Sequence, residues 1–265
     1  MPALNEISPL NLMRLIGTPH CPTIIDVCSD EDFDADPSLI PTAVRHPHSE
    51  IAALAASLTN KEIVIVCHKG LKLSHGSAAY LRAMGISAKI LTGGNLAWTA
   101  AGLPRVPAAQ VPGALWVTRH RPKIDRIACP WLIRRFVDRD ATFLFVPPAT
   151  VTDVAERFQA TAFDIEDCAW THDGEYCTFD VMIKRCGLSH PALDTLATVV
   201  RAADTNKHTL APQAAGLLAI SVGLSRMFRD DTEQLEAGML IYDALYRWAR
   251  DGQDEGHDWP TGRKE

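Results

Sequence analysis

The run Ile63-Val64-Ile65-Val66 is continuously apolar and ends on Cys67, which opens the turn-rich stretch Cys67-His68-Lys69-Gly70-Leu71-Lys72-Leu73-Ser74. A short unbroken run of β-branched residues reads as a strand buried on both faces, the kind that belongs to a parallel sheet. From Ser74 to the Met84-Gly85 pair the chain is Ala- and Leu-rich and reads as a helix. A strand, a tight loop and a helix in this order turn the loop N–H groups and the helix N-terminus onto one point. That point is an anion site and favours a thiolate at Cys67. Lys69 and Lys72 add positive charge beside it, so the thiolate is expected to act as a nucleophile. The competing reading is a structural cysteine closing a buried strand.

With 265 residues the chain has enough apolar material for two ordinary domains. The stretch 104–113 (Pro-Arg-Val-Pro-Ala-Ala-Gln-Val-Pro-Gly) carries neither a helical nor a strand period. We therefore expect a domain over 1–105, a Pro-rich linker over 106–113 and a second domain over 114–265, with a loosely ordered tail from Asp251 onward. The formal net charge of −6 argues against broad nucleic-acid binding. Residues 114–265 hold 18 Lys and Arg against 23 Asp and Glu, so any DNA contact would need a local patch. Seven scattered cysteines do not form the paired framework of a secreted domain. The N-terminal stretch lacks an apolar core of signal-peptide length, and no segment has the length of a membrane span. A cytoplasmic protein without membrane contact is expected.

Several stretches of the first domain together resemble the rhodanese family. They are Ile24-Ile25-Asp26-Val27 as an early strand ending in Asp, Ile40-Pro41-Thr42-Ala43 as a turn, and Gly93-Gly94-Asn95-Leu96-Ala97-Trp98 with Ala101-Gly102-Leu103-Pro104 as a closing signature. The resemblance implies an α/β fold, a parallel sheet flanked by helices. It also implies that Cys67 carries a persulfide sulfur between an anionic donor and a nucleophilic acceptor, with no cofactor required. The loop His68, Lys69, Gly70, Leu71, Lys72, Leu73 and Ser74 would hold the anion, and Asp26 would order that loop. This sequence departs from the family pattern in three places. Cys28 stands where many rhodaneses have Arg, the loop arginine is replaced by Lys72 or displaced altogether, and the loop reads one residue long, Ser74 arriving late. Lysine lacks the planar fork of arginine, so the donor's identity is left open by the loop.

The second domain opens on a strand-like run, Ala114 to Thr118, followed by a basic segment. Arg119 to Arg139 contains seven Lys and Arg against two Asp. Arg121, Lys123, Arg126, Arg134 and Arg135 are the candidates for an oxyanion- or phosphate-binding face, set against a plain amphipathic helix burying Ile124, Ile127, Trp131 and Phe136. Pro130 would either begin that helix or kink it. Thr142 to Val146 reads as a strand, and a helix is expected near Thr152 to Gln159. Leu235, Met239, Tyr242, Tyr246 and Ala249 form one helical stripe, with Asp231 and Gln234 spaced as a capping box.

The run Arg121-Pro122-Lys123-Ile124-Asp125-Arg126-Ile127-Ala128-Cys129-Pro130-Trp131 and the stretch Phe163 to Asp180 resemble the chromate-resistance domain of the ChrB family. The match extends through Ala202-Ala203-Asp204-Thr205, Ala214-Ala215-Gly216-Leu217 and Gly238 to Tyr246. The whole chain thus resembles a fusion of a rhodanese-like domain with a helix-rich α+β ChrB-type domain, a class linked to chromate tolerance. His172 and Cys177 are soft donors near acidic residues around a glycine turn, and Asp204, at the end of a predicted helix, is the candidate additional carboxylate, although nothing in the sequence folds it back to His172. They admit a transition metal, although their spacing is not that of a structural zinc site and packing alone would also account for them. The expected partners are a small anionic sulfur donor or oxyanion and an unidentified sulfur acceptor. Duplex DNA is the less favoured partner. The rival function is a chromate-responsive transcriptional regulator in which the rhodanese-like domain is a sensor.

Overall fold

The computed structural model describes residues 4–111 and 113–256. The strands are β1 Glu6–Ile7, β2 Thr23–Asp26, β3 Ser38–Leu39, β4 Val44–Arg45, β5 Ile63–Val66, β6 Ala88–Leu91, β7 Val106–Pro107, β8 Leu115–Arg119, β9 Thr142–Val146 and β10 Thr161–Ala162. The α-helices are α1 Pro9–Met13, α2 Asp30–Asp34, α3 Ala55–Leu58, α4 Lys72–Ala83, α5 Gly94–Ala100, α6 Asp125–Leu132, α7 Val151–Phe158, α8 Thr178–Arg185, α9 Pro191–Asp204, α10 Gln213–Met227 and α11 Asp231–Asp251.

The first unit is built on a parallel sheet in the order β1-β6-β5-β2-β4. All four residues of β5 are buried, as its apolar run requires, because helices cover both faces of the sheet. Strands β2 and β5 are neighbours in register, Asp26 opposite Val66. Asp26 and Cys67 therefore emerge side by side at the carboxyl edge. In open parallel sheets that edge is where ligands bind.

The second unit holds a three-stranded parallel sheet, β10-β8-β9, packed with α6 to α11. Trp131 is fully buried at its centre, edge to face with Phe136 at 5.7 Å and 5.6 Å from Tyr246. The indole N–H is satisfied by Asp243 at 2.8 Å. Ile124, Ile127, Trp131 and Phe136 are buried together, as are Leu235, Met239, Tyr242, Tyr246 and Ala249 along α11. Pro130 lies in the interior of α6, not at its start. Lacking an N–H, it frees a carbonyl one turn earlier, and the helix widens into a π-helical turn over Ile133–Val137. The cap of α11 is Asp230, one residue ahead of the expected Asp231. Its carboxylate accepts from the N–H groups of Thr232 and Glu233, while Gln234 is buried and donates to the Pro122 carbonyl.

Of the expected linker, the part from Val106 to Gln110 is not free chain. β7 pairs antiparallel with β3, Val106 is buried and the Ala108 N–H donates to the Pro37 carbonyl at 2.9 Å. Proline kept this short strand out of the sequence pattern, but at a sheet edge its missing N–H is harmless. Pro112 and residues 257–265, most of the expected tail, lie outside the described residues. The two units share one apolar core, in which Leu12, Ile16 and Ile24 join Trp131 and Phe136. The Thr42 N–H donates to the Phe136 carbonyl at 3.0 Å and Arg139 donates to Pro22 at 2.9 Å, tying the units together. No described helix is long and apolar enough to cross a membrane.

Candidate functional site

Cys67 sits at the lip of the first sheet, between β5 and α4, and is 5% exposed. Its Sγ lies 3.2 Å from Ser74 Oγ, and the Ser74 hydroxyl is also 3.1 Å from the Leu71 carbonyl. The helix begins at Lys72, two residues before the expected Ser74, so the connecting loop is Cys67–Leu71. Ser74 belongs to the first turn, where it faces the sulfur. The loop is held from outside by α5. The Asn95 N–H donates to the Cys67 carbonyl at 3.1 Å and the Leu96 N–H to that of His68 at 3.0 Å.

Two glycines allow this close approach. Gly70 has φ 66°, and a Cβ there would come within 2.6 Å of the Gly94 nitrogen; a Cβ on Gly94, φ 59°, would collide with the Cys67 carbonyl oxygen. The start of α4 leaves its first N–H groups without helical acceptors, on the turn that also carries Ser74 to the sulfur. Asp26 is buried and accepts from the Cys28 N–H at 2.8 Å and from Asn95 Nδ2 at 3.0 Å. Its reach to the loop is thus indirect, through Asn95. Cys28 is buried beside it. Desolvation and the Asp26 charge both push its thiol pKa up, which makes Cys28 a poor nucleophile. Lys69, Leu71 and Lys72 are exposed, and Leu73 and His68 are half-buried. Lys72 borders a groove of about 350 Å³ with His48, Ser77 and Tyr80.

The basic segment of the second unit does not form a single anion-binding face. Arg135 is bidentate to Asp243, at 2.8 and 2.9 Å, and Arg134 pairs with Glu236 at 2.6 Å. Arg121 donates to the Ser225 carbonyl at 2.6 Å, and its N–H contacts Asp231. Arg126 meets Asp164 at 3.3 Å. Of the five, Lys123 and Arg121 are in no side-chain ion pair among the described residues, the Arg121 guanidinium being held by a carbonyl instead. The carboxylates come from α11 and the loop after β10, and α10 adds the Ser225 carbonyl, so charges adjacent in sequence are engaged by partners far along the chain.

The second cluster was only partly foreseen. His172 Nε2 lies 3.2 Å from Asp204 Oδ2, 3.5 Å from Asp125 Oδ2 and 3.6 Å from Asp164 Oδ1. Asp125 opens α6 after β8 and Asp164 follows β10, so this group too occupies the carboxyl edge of a parallel sheet. The accepting carboxylates of Asp125, Asp164 and Asp204 around it favour the protonated imidazole and push the His172 pKa up to about 12. Burial raises that of Asp125 to about 7, partly offset by His172. Burial would also lift Asp164, but hydrogen bonds from His172, Thr178 and Arg119 more than reverse it and hold the carboxyl below its usual range.

Cys177 does not join the donor group, contrary to the expected trio. Its thiol is fully buried at the N-terminus of α8, its N–H donates to Asp180 at 3.1 Å, and burial with the Asp125 charge raises its pKa. Asp125 and Asp164 were missed by sequence reasoning. The available signal was a carboxylate beside apolar positions, Ile124 and Phe163, where a solvated charge is out of place. Next to the cluster, a cleft of about 520 Å³ is lined by Asp173, Tyr176, Asp180 and Arg201.

The parallel sheet, its edge cysteine and the glycine-bound loop define a rhodanese-like domain, and the rhodanese-like family model matches residues 8–101. The model for the ChrB C-terminal domain matches residues 116–249, half of the chain. The protein belongs to the ChrB C-terminal domain family and carries a rhodanese-like domain ahead of it. Protein ChrB of Cupriavidus metallidurans is 31% identical over 159 residues, 59% of this chain and 47% of that protein. The chain thus spans about half the length of this curated relative. Among solved structures, a rhodanese-like domain protein from Staphylococcus aureus is 30% identical over 36% of this chain and 91% of its own, with a TM-score of 0.33. A thiosulfate sulfurtransferase from Pseudomonas aeruginosa is 28% identical over 39% of this chain and 19% of its own, TM-score 0.33.

Proposed function

We propose that this protein is a rhodanese-type sulfur carrier of the reducing cytoplasm, acting in tolerance of chromate. The observation that carries the proposal is Cys67 on the glycine-bound loop with Ser74 at 3.2 Å. In the first half-reaction the Cys67 thiolate attacks the outer sulfur of thiosulfate. A new S–S bond forms on Cys67, the S–S bond of thiosulfate breaks and sulfite leaves with the electron pair. In the second, a nucleophilic acceptor takes the outer sulfur and the Cys67 thiolate is regenerated.

The Ser74 hydroxyl and the N–H groups opening α4 supply the positive end of dipoles to the thiolate, the persulfide and the anionic donor. Lys69 and Lys72, exposed and in no described ion pair, steer the anion by long-range attraction. The seven free thiols fit a reducing compartment. The regulator reading drew on the basic segment, whose arginines are engaged internally.

Intact mass spectrometry after exposure to thiosulfate tests the proposal. An adduct of about 32 Da, one sulfur, should appear and be removed by dithiothreitol. Cys67→Ser should not form it. An adduct that persists in Cys67→Ser, or its absence in the unaltered protein, overturns the reading.

A further inference from the structure

The group around His172 has a geometry that hydrogen bonding alone does not explain. One imidazole nitrogen faces three carboxylate oxygens at 3.2, 3.5 and 3.6 Å. A single N–H has one good acceptor direction, so at most one of these is a proper hydrogen bond. The other two oxygens converge on the same point although each already accepts elsewhere, Asp164 Oδ1 from the Thr178 hydroxyl at 2.9 Å and Asp125 Oδ2 from the Phe179 N–H at 3.4 Å. Asp125 sharpens the problem. It is 1% exposed, its Oδ2 faces His172, and its Oδ1 has no hydrogen-bond partner among the described residues. A buried carboxylate oxygen left unpartnered is costly unless something absent from the polypeptide compensates it.

The separations are those of donors around one ion. Ligand atoms about 2.1 Å from a first-row metal lie about 3.0 Å apart at right angles and about 3.4 Å apart in a tetrahedron. The donor atoms of Asp125, Asp164 and His172 all fall within 4.8 Å of one another; Asp204 stands outside this mutual group, reaching His172 from α9 at 3.2 Å as the next carboxylate able to swing in.

The surroundings prepare the carboxylates for this role. Arg119 and Arg126 both contact Oδ2 of Asp164, at 3.0 and 3.3 Å, which turns Oδ1 toward His172. The Thr178 hydroxyl donates to that Oδ1 at 2.9 Å. Such outer contacts fix the orientation of a ligating oxygen. His172 is 41% exposed and stands at the mouth of the group with the carboxylates beneath, leaving a route from solvent.

We propose that His172 Nε2, Asp125, Asp164 and Asp204 form a mononuclear site for a divalent first-row transition ion. One imidazole with carboxylates suits manganese(II), iron(II) or zinc(II) better than the all-oxygen preference of calcium or magnesium. The site is separate from Cys67 and stands whatever the fate of the sulfur-carrier reading.

The test uses the full chain, stripped with a chelator and titrated with Mn2+ followed by electron paramagnetic resonance, and with Co2+ followed by visible absorption. One equivalent should bind. His172→Ala and Asp204→Asn should each weaken binding about 100-fold or more, since losing a ligand costs at least as much as losing its supporting partner. Both positions are partly exposed, so these variants avoid the unfolding risk of Asp125→Asn; circular dichroism checks the fold. Cys177→Ser should bind within about threefold of the unaltered protein, and the Co2+ spectrum should lack a thiolate charge-transfer band. The proposal fails if neither ion binds saturably, if both ligand variants bind like the unaltered protein, or if Cys177→Ser abolishes binding.

Discussion

The sulfur of Cys67 and the hydroxyl of Ser74 lie 3.2 Å apart across the first turn of α4, both buried. Ser74 is the only described side chain whose hydroxyl reaches the sulfur, so its removal isolates one contact. Ser74→Ala should slow alkylation of Cys67 by iodoacetamide at neutral pH about tenfold, a hydrogen bond to a charged group being worth about 1.5–3 kcal/mol. The rate is read by mass spectrometry on the Cys67 peptide. An unchanged rate would mean the hydroxyl serves only the Leu71 carbonyl.

The cradle around the sulfur rests on backbone proximity, which gives two glycines of this domain opposite expectations. Gly94→Ala, at φ 59° and against the Cys67 carbonyl, should destabilise the protein by about 2–4 kcal/mol and suppress the sulfur adduct. Gly76→Ala, in mid α4 with open space around it, should leave stability unchanged or raise it by up to about 1 kcal/mol. Urea denaturation of both variants decides it. Similar losses in the two would contradict the close-approach account.

Arg135 and Asp243 form a two-point pair with the Trp131 N–H on the same carboxylate, and Asp243 is only 11% exposed. Asp243→Asn should cost about 2–4 kcal/mol, because it leaves a largely buried guanidinium short of charge. Sulfate at moderate concentration should not restore the loss, since no solvent path replaces the carboxylate. Full rescue by sulfate, followed by thermal melts, would instead make Arg135 an anion ligand.

His190 supplies a pH dependence. It packs against Phe136, and its Nε2 is 3.4 Å from the Tyr246 hydroxyl. Burial lowers its pKa to about 4, helped by Arg250 and opposed by Asp194. The unfolded chain therefore binds a proton from about pH 6.5 downward while the folded chain resists until about pH 4. Stability should fall as pH drops through this window, by on the order of 3 kcal/mol in total from this group. His190→Gln should flatten the slope of stability between pH 7 and 4.5 relative to the unaltered protein. Asp125, whose raised pKa acts in the opposite sense, is common to both and cancels in the comparison. Parallel slopes would remove His190 as the cause.

The sequence by itself determined the parts that depend on local pattern. An unbroken β-branched run had to be a doubly covered strand, so Cys67 had to emerge at a sheet edge, and the period of Leu235 to Ala249 had to bury one stripe of α11. Those outcomes follow from backbone geometry and burial within one element. Tertiary structure alone decided where the charges went. Asp125, Asp164, His172 and Asp204 span 80 positions of chain and meet because two parallel strands and two helices end at one place. The same assembly dispersed the basic segment. Local composition counts the arginines of 119–139, but the tertiary packing of α10, α11, the loop after β10 and the first unit supplies the carboxylates and carbonyls that engage them. Charge pairing is long-range in sequence and short-range in space, and no period along the chain encodes it.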